Sequence, residues 1–193
     1  AVSGSIQVDT GGNLLISSDS LTAAGINLDG GSLTTGSFDN SDTGTLNFHD
    51  GTLKVKGASG IFNPGTTHFT IDGLAADDLP ALVITNTASA TLSEKLTVGF
   101  SNRGQLIVKA GSVVSNMKGH IGKRSGSTGV ATVKGSGSQW NNASLWGGRA
   151  GSGTLNVTAG GVVSNNTGYI GRTGGSTGRA TVIGASAQWN NSG

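Results

Sequence analysis

The sequence contains no cysteine, so disulfides contribute nothing to its stability and no thiol nucleophile is present. Only 2 prolines occur in 193 residues, which excludes a Pro-rich disordered linker. Aromatics make up 5% and hydrophobics 34%, thin for a compact globule around one large core. No run of 18 apolar residues occurs, so no segment reads as a membrane-spanning helix. No basic-and-apolar leader opens the chain, and any secretory signal is expected to have been removed or to lie outside this sequence. One sign of charge is also missing from half of the chain. Residues 95–193 hold ten Lys or Arg and no acid. All ten acids lie in 1–94, with only Lys54 and Lys56 to offset them. The halves therefore carry −8 and +10, a charge-polar chain whose total is only +2.

What is abundant is glycine, 35 residues, with Val, Thr, Ile, Leu and Ser between the glycines. That composition suits many short strands joined by tight turns. Segment 104–144 aligns with 153–193 without a gap at an offset of 49, with 24 of 41 positions identical. The unit is itself double. Gly129-Val130-Ala131-Thr132-Val133 lines up with Gly153-Thr154-Leu155-Asn156-Val157 at an offset of 24. The apolar-Gly pairs Val98-Gly99, Ile121-Gly122, Trp146-Gly147 and Ile170-Gly171 recur at steps of 23, 25 and 24. One coil is then about two dozen residues, with three short strands and three turns. Such a coil cannot bury its own apolar face, but its neighbours complete it.

The pattern predicts an all-β chain, a parallel β-helix (β-solenoid) of about eight coils and roughly 40 Å length at ~4.8 Å per coil. Residues 1–94 read as an acidic segment with coils of 20–22 residues, from the steps between Asp9, Asp29, Asp50 and Asp72. Residues 95–193 read as a basic segment of 49-residue double coils, continuous with the first. The coil count within 73–94, around Asp77-Asp78-Leu79-Pro80, stays open. The chain stops within a repeat at Trp189-Asn190-Asn191-Ser192-Gly193, so the natural polypeptide is expected to continue.

Several segments carry a family resemblance: Leu96-Thr97-Val98-Gly99, GQLIVKAGSVVSN from Gly104, HIGKRSGSTGVATVKGSGSQWNN from His120, and their second copies. Through them, residues from about 80 to 193 resemble the repeat shared by type V secretion autotransporter passengers and PEP-CTERM-associated exported proteins of Gram-negative bacteria. Residues 1–79 resemble autotransporter-associated strand repeats more loosely, through GGNLLIS, GGSLTTG and DGTLKVKG. The resemblance implies secretion to the bacterial cell surface, a right-handed β-helix and a passenger or adhesin role. It brings no catalytic motif. The family's outer-membrane barrel and sorting tail have no counterpart in these residues.

Four groups of residues are candidates for chemistry or structure. Asp9, Asp29, Asp50 and Asp72 recur at one coil position, and Asp19 and Asp39 at another. Oxygen-rich rows could hold Ca²⁺, whereas Asp before Gly equally makes an Asx-turn. Asn116, Asn141, Asn165 and Asn190 form an expected amide ladder. Ser115, Trp140, Ser164 and Trp189 fall at one site. Facing inward, the tryptophans fill a narrow core. Facing outward about 10 Å apart, with Arg149 and Arg172 nearby, they could stack on a polysaccharide. His49, His68 and His120 lack metal-ligand spacing. IGKRSGSTG is Gly-rich but lacks the Gly-Lys-Ser/Thr order of a phosphate loop.

The expected function is a non-catalytic structural or adhesive module, without cofactor. Its partners would be an anionic surface polysaccharide or other copies stacked head to tail in a filament, not nucleic acid. A polysaccharide-degrading enzyme is the alternative, which would need acids and bases converging on one groove.

Overall fold

A computed structural model describes residues 2–16, 23–41 and 45–193. Among them every regular element is a β-strand, and each strand pairing in the three sheets is parallel. The first coil holds β1 (Val2–Asp9) and β2 (Asn13–Leu15). The second holds β3 (Ala23–Asp29), β4 (Ser32–Thr35) and β5 (Phe38–Asp39), and the third β6 (Thr45–Phe48), β7 (Thr52–Val55) and β8 (Ile61–Asn63). Next come β9 (His68–Ile71), β10 (Ala81–Ile84) and β11 (Ser89–Thr91), then β12 (Lys95–Val98), β13 (Arg103–Lys109) and β14 (Val113–Ile121). Strand β14 serves two faces: Val113–Ser115 pairs with β11, and Lys118–Ile121 with β12. After β15 (Thr128–Lys134), β16 (Gln139–Gly147) divides in the same way between β18 (Val162–Asn165) and β19 (Thr167–Ile170). β17 (Ser152–Thr158) precedes β18, and β20 (Thr177–Ile183) and β21 (Gln188–Asn191) end the series.

The molecule is a parallel β-solenoid. Its longest unbranched run of paired strands is β2-β4-β7-β10-β13-β15-β17-β20, from the acidic into the basic segment. Its eight strands are seven steps apart, so the stack has about seven turns and spans roughly 35 Å, slightly less than the sequence suggested. Successive turns bury columns of like side chains. Leu33, Leu53, Leu82, Leu106, Ala131 and Leu155 stack in register on this sheet, each at most 1% exposed. They form the apolar wall that no single coil could bury.

Residues 73–94, where coils could not be counted, hold one coil with an insertion. Ala81 is the register partner of Thr52, so this turn takes 29 residues. The excess is the loop 72–80 between β9 and β10. Carboxylates pin it at several points: Asp78 accepts the Leu74 and Ala75 N–H groups at 2.9 and 2.8 Å, and Asp50 accepts the Leu79 N–H at 2.9 Å. On the face ahead of the long sheet, β6 and β9 hold the same place in successive coils but do not pair. A cleft of about 650 Å³ opens there, with Asn47, Pro64 and His68 in its wall.

The corners explain why the basic repeat is double. The corner after β13 has three residues, that after β15 four, after β17 three and after β20 four. The corner after β12 has four, that after β14 six, after β16 four and after β19 six. The six-residue corners are closed by their own serines: Ser127 Oγ donates to the Arg124 carbonyl at 2.7 Å, and Ser176 Oγ to that of Thr173 at 2.6 Å. Glycine is required where the chain leaves the strand for this corner. Gly122 has φ +67, and a Cβ there would lie 2.1 Å from the Ser152 carbonyl oxygen of the next coil.

Candidate functional site

The alternating corners shift the register by one residue relative to the sequence alignment, and this relocates several expected sites. The amide column is Asn116, Asn142, Asn165 and Asn191, not Asn116, Asn141, Asn165 and Asn190. Asn116 Nδ2 donates to Asn142 Oδ1 at 3.0 Å, and Asn165 Nδ2 to Asn191 Oδ1 at 2.8 Å. Asn141 and Asn190 point the other way, toward Gln139 and Gln188. The fourth residue of the corner after β15, and of that after β20, accounts for the difference.

Trp140 and Trp189 face inward. Their column is Val114, Trp140, Val163 and Trp189, with the serines Ser115 and Ser164 one position on. Trp140 is fully buried and its Nε1–H donates to Asn116 Oδ1 at 2.7 Å. Trp189 donates likewise to Asn165 at 2.6 Å. Room for them comes from a glycine: a Cβ on Gly119 would sit 3.0 Å from the Trp140 ring, and one on Gly168 3.0 Å from that of Trp189. Trp140 is thus a core residue, whereas Trp189, packed against the core from the last coil, is half-buried and edges a cleft of about 460 Å³ among Asn142, Asn165 and Asn191.

The aspartates do not form one row. Asp9 and Asp29 are register partners, but Leu28 pairs with Phe48. Continuing that register by one residue sets His49, not Asp50, beside Asp29. The missing β6–β9 pairing separates Asp72 from the others. Asp72 instead accepts backbone N–H groups of Phe100 at 2.8 Å, Ser101 at 3.0 Å and Asn102 at 2.9 Å. Asp39 accepts the Ser41 N–H at 3.1 Å and the Asn63 side-chain amide at 3.0 Å. Asp19 lies outside the described residues. Among the described residues no three His, Cys, Asp or Glu side chains come together as a metal cluster would.

A different constellation assembles on the face formed by β9, β12, the second halves of β14 and β16, and β19. Because Ile121 pairs with Gly147 and His120 with Trp146, Trp146 points outward. His120, Trp146 and Tyr169 form one column, with ring centroids 4.6 and 5.9 Å apart and planes within 14° and 12° of parallel. Arg172 lies over the Tyr169 ring at 5.2 Å. A cleft of about 250 Å³ opens beside the column. Lys95 and Lys118, register partners on β12 and β14, line one side. Lys123, Arg149 and Arg172, from successive corners, line the other. No carboxylate lines the cleft. Among the described residues the only ion pair joins His68 and Glu94 at 2.8 Å, so none of these cations is matched by a carboxylate.

Burial and crowding set the charge state. His120 is only 4% exposed. Desolvation, and then the fields of Lys123, Arg149, Lys95 and Lys118, push its pKa down to about 3. It is a neutral imidazole at ordinary pH. Burial first, and then Lys95, Arg149 and Arg124, also lower the pKa of Lys123. Two buried polar atoms here lack a partner: His120 Nδ1 and Trp146 Nε1. Buried polar groups are seldom left so. Phe100 braces the edge of the cleft, with Lys123 and Arg124 over its ring at 4.5 and 4.2 Å. The turn that carries Phe100 is the one Asp72 holds.

Of the four residues expected at a ligand site, Arg149 and Arg172 thus line this basic cleft, Trp140 is buried, and Trp189 lies at a separate cleft. Trp146, Tyr169, His120 and the lysines were missed. The signal was the series His120-Ile121-Gly122, Trp146-Gly147-Gly148 and Tyr169-Ile170-Gly171. It aligns only if Gly148, at φ +72, is taken as the corner glycine rather than Gly147. In comparisons with known proteins, no family model, no curated sequence and no solved structure matches the chain.

Proposed function

We propose that this chain is a non-catalytic adhesive module of an exported bacterial repeat protein, a rod that presents a basic flank to an anionic surface outside the cell. The resemblance of its repeats to autotransporter passengers and PEP-CTERM-associated proteins supports the location. The observation that carries the binding role is the cluster of five unmatched cations on one face, Lys95, Lys118, Lys123, Arg149 and Arg172. Unpaired like charges repel one another, and an anionic surface removes that repulsion while steering the encounter. Asp39, Asp50, Asp72, Asp78 and Glu94 are engaged in turns and side-chain pairs, and none lines this cleft. That distribution favours binding over acid–base chemistry on a sugar.

The test is retention of the protein on beads carrying an acidic polysaccharide and on beads carrying a neutral one. Retention on the acidic beads alone at low ionic strength is expected. Elution should come as the Debye length falls to about 10 Å near 0.1 M salt. Flow-through on both kinds of bead would contradict the binding role. New reducing or unsaturated ends in the polysaccharide would contradict the non-catalytic one.

A further inference from the structure

We infer that the cleft between the two cationic columns is a built site for the acid groups of a linear acidic polysaccharide, whose oxygens are received by the unpartnered ring nitrogens of His120 and Trp146. This deepens the adhesive reading above and rests on it. Charge alone would attract any polyanion, but the two orphan nitrogens ask for something more specific. Trp146 Nε1 can only donate. The neutral His120 ring donates from Nδ1 in one tautomer, and the tautomer is chosen by the partner it finds. Two buried donors in a field of lysines and arginines match an anionic oxygen, a carboxylate or a sulfate.

The geometry also selects the kind of polymer. The aromatic and cationic columns run along the solenoid axis, one side chain per coil, with a repeat of roughly 4.8 Å. A chain laid along that axis can bring successive acid groups to successive coils. Nucleic acid fits poorly. Protein aromatics hold single strands by stacking on the bases, which needs free ring faces. Here the faces of His120, Trp146 and Tyr169 stack on one another, and Arg172 also lies over the Tyr169 ring. Ring edges and the Tyr169 hydroxyl remain for the ligand, with the two buried nitrogens still lacking a partner, which suits a chain of hydroxyls and acid groups.

The experiment compares a uronate oligosaccharide, its methyl-esterified neutral form, a sulfated oligosaccharide and inorganic polyphosphate of matched charge. Binding is read by titration calorimetry and tryptophan fluorescence, with the His120 ring followed by ¹⁵N NMR. Three variants accompany the native chain. Trp146→Phe keeps a ring in the stack and deletes the donor, His120→Gln alters the other orphan, and Arg179→Ala removes a cation outside the cleft. An acidic sugar should bind at least about tenfold more tightly than polyphosphate, and the neutral form should not bind. Trp146→Phe should cost about tenfold for the acidic sugar and Arg179→Ala less than twofold. The His120 ring nitrogens of the native chain should shift on binding, a readout that needs no variant to fold. Equal binding of all polyanions, with no effect of Trp146→Phe and no His120 shift, would overturn this site while leaving the adhesive reading in place. No binding of any polyanion at low salt would overturn both.

Discussion

The acidic and basic segments share one sheet and one way of stacking, yet they use charge in opposite ways. In the acidic segment Asp39, Asp50, Asp72 and Asp78 accept hydrogen bonds from turns or neighbouring side chains, and Glu94 pairs with His68. A carboxylate is an acceptor on a short stem and fits the unpaired N–H groups of a corner. Lysine and arginine only donate and carry their charge on long stems. In the basic segment the six-residue corners are closed by serines such as Ser127 and Ser176 instead. Five of its ten cations are left to crowd one face, where Lys123 and Arg172, with Arg124 beside them, lie over rings. Acids here hold the coil together, and bases are available to a partner.

Substitutions can break or sharpen that contrast. The largest effect is expected from Trp140→Ala in the basic segment. It empties the bulkiest buried site and leaves Asn116 without its donor. A loss of about 3–5 kcal/mol, read from the urea midpoint, is expected. Next is the dependence of stability on pH through His120. Its folded pKa, about 3, lies below the unfolded value of 6.5, so the unfolded chain binds more protons between them. Stability from this group is whole above pH 6.5 and falls as pH drops toward 3, by about 1.4 kcal/mol per unit at most. His120→Gln should flatten that part of the profile in urea titrations at pH 4 to 7.

Asp72→Ala should cost about 1–3 kcal/mol, because three turn N–H groups lose their acceptor. It should also loosen Phe100 and thereby weaken polyanion binding, whereas a variant of an exposed acid such as Asp77→Ala should do neither. The smallest effect is expected from Arg179→Ala. Arg179 is exposed and lies outside the cleft, so its melting curve should stay within about 0.5 kcal/mol of the native chain.

The parallel solenoid was legible because its cause is periodic. Gly104, Gly129 and Gly153 align in the sequence and in the sheet alike. What misled the reading was a one-residue change in corner length. A strand has a side-chain period of two, so one extra residue at Gly135–Ser138 turns Trp146 outward where an unshifted alignment would place it inside. The same slip displaced Asn141 and Asn190 from the amide column. Trp140 kept its inward place only by matching the apolar Val114 rather than Ser115. The insertion at 72–80 hid a coil, because its anchors, Asp50 to Leu79 and Asp72 to the turn at 100–102, are contacts between residues nearly thirty apart. No local pattern announces such contacts.

The central claim, that the basic face binds and the acidic segment serves the fold, is tested most directly by one amide NMR map. The protein would be titrated with a uronate oligosaccharide at low salt. Shifts are expected to gather on Lys95, Lys118–Lys123, Trp146–Arg149 and Tyr169–Arg172, with residues 2–16 and 23–41 unmoved. Shifts spread evenly over both segments, or centred on the β6–β9 cleft, would contradict it.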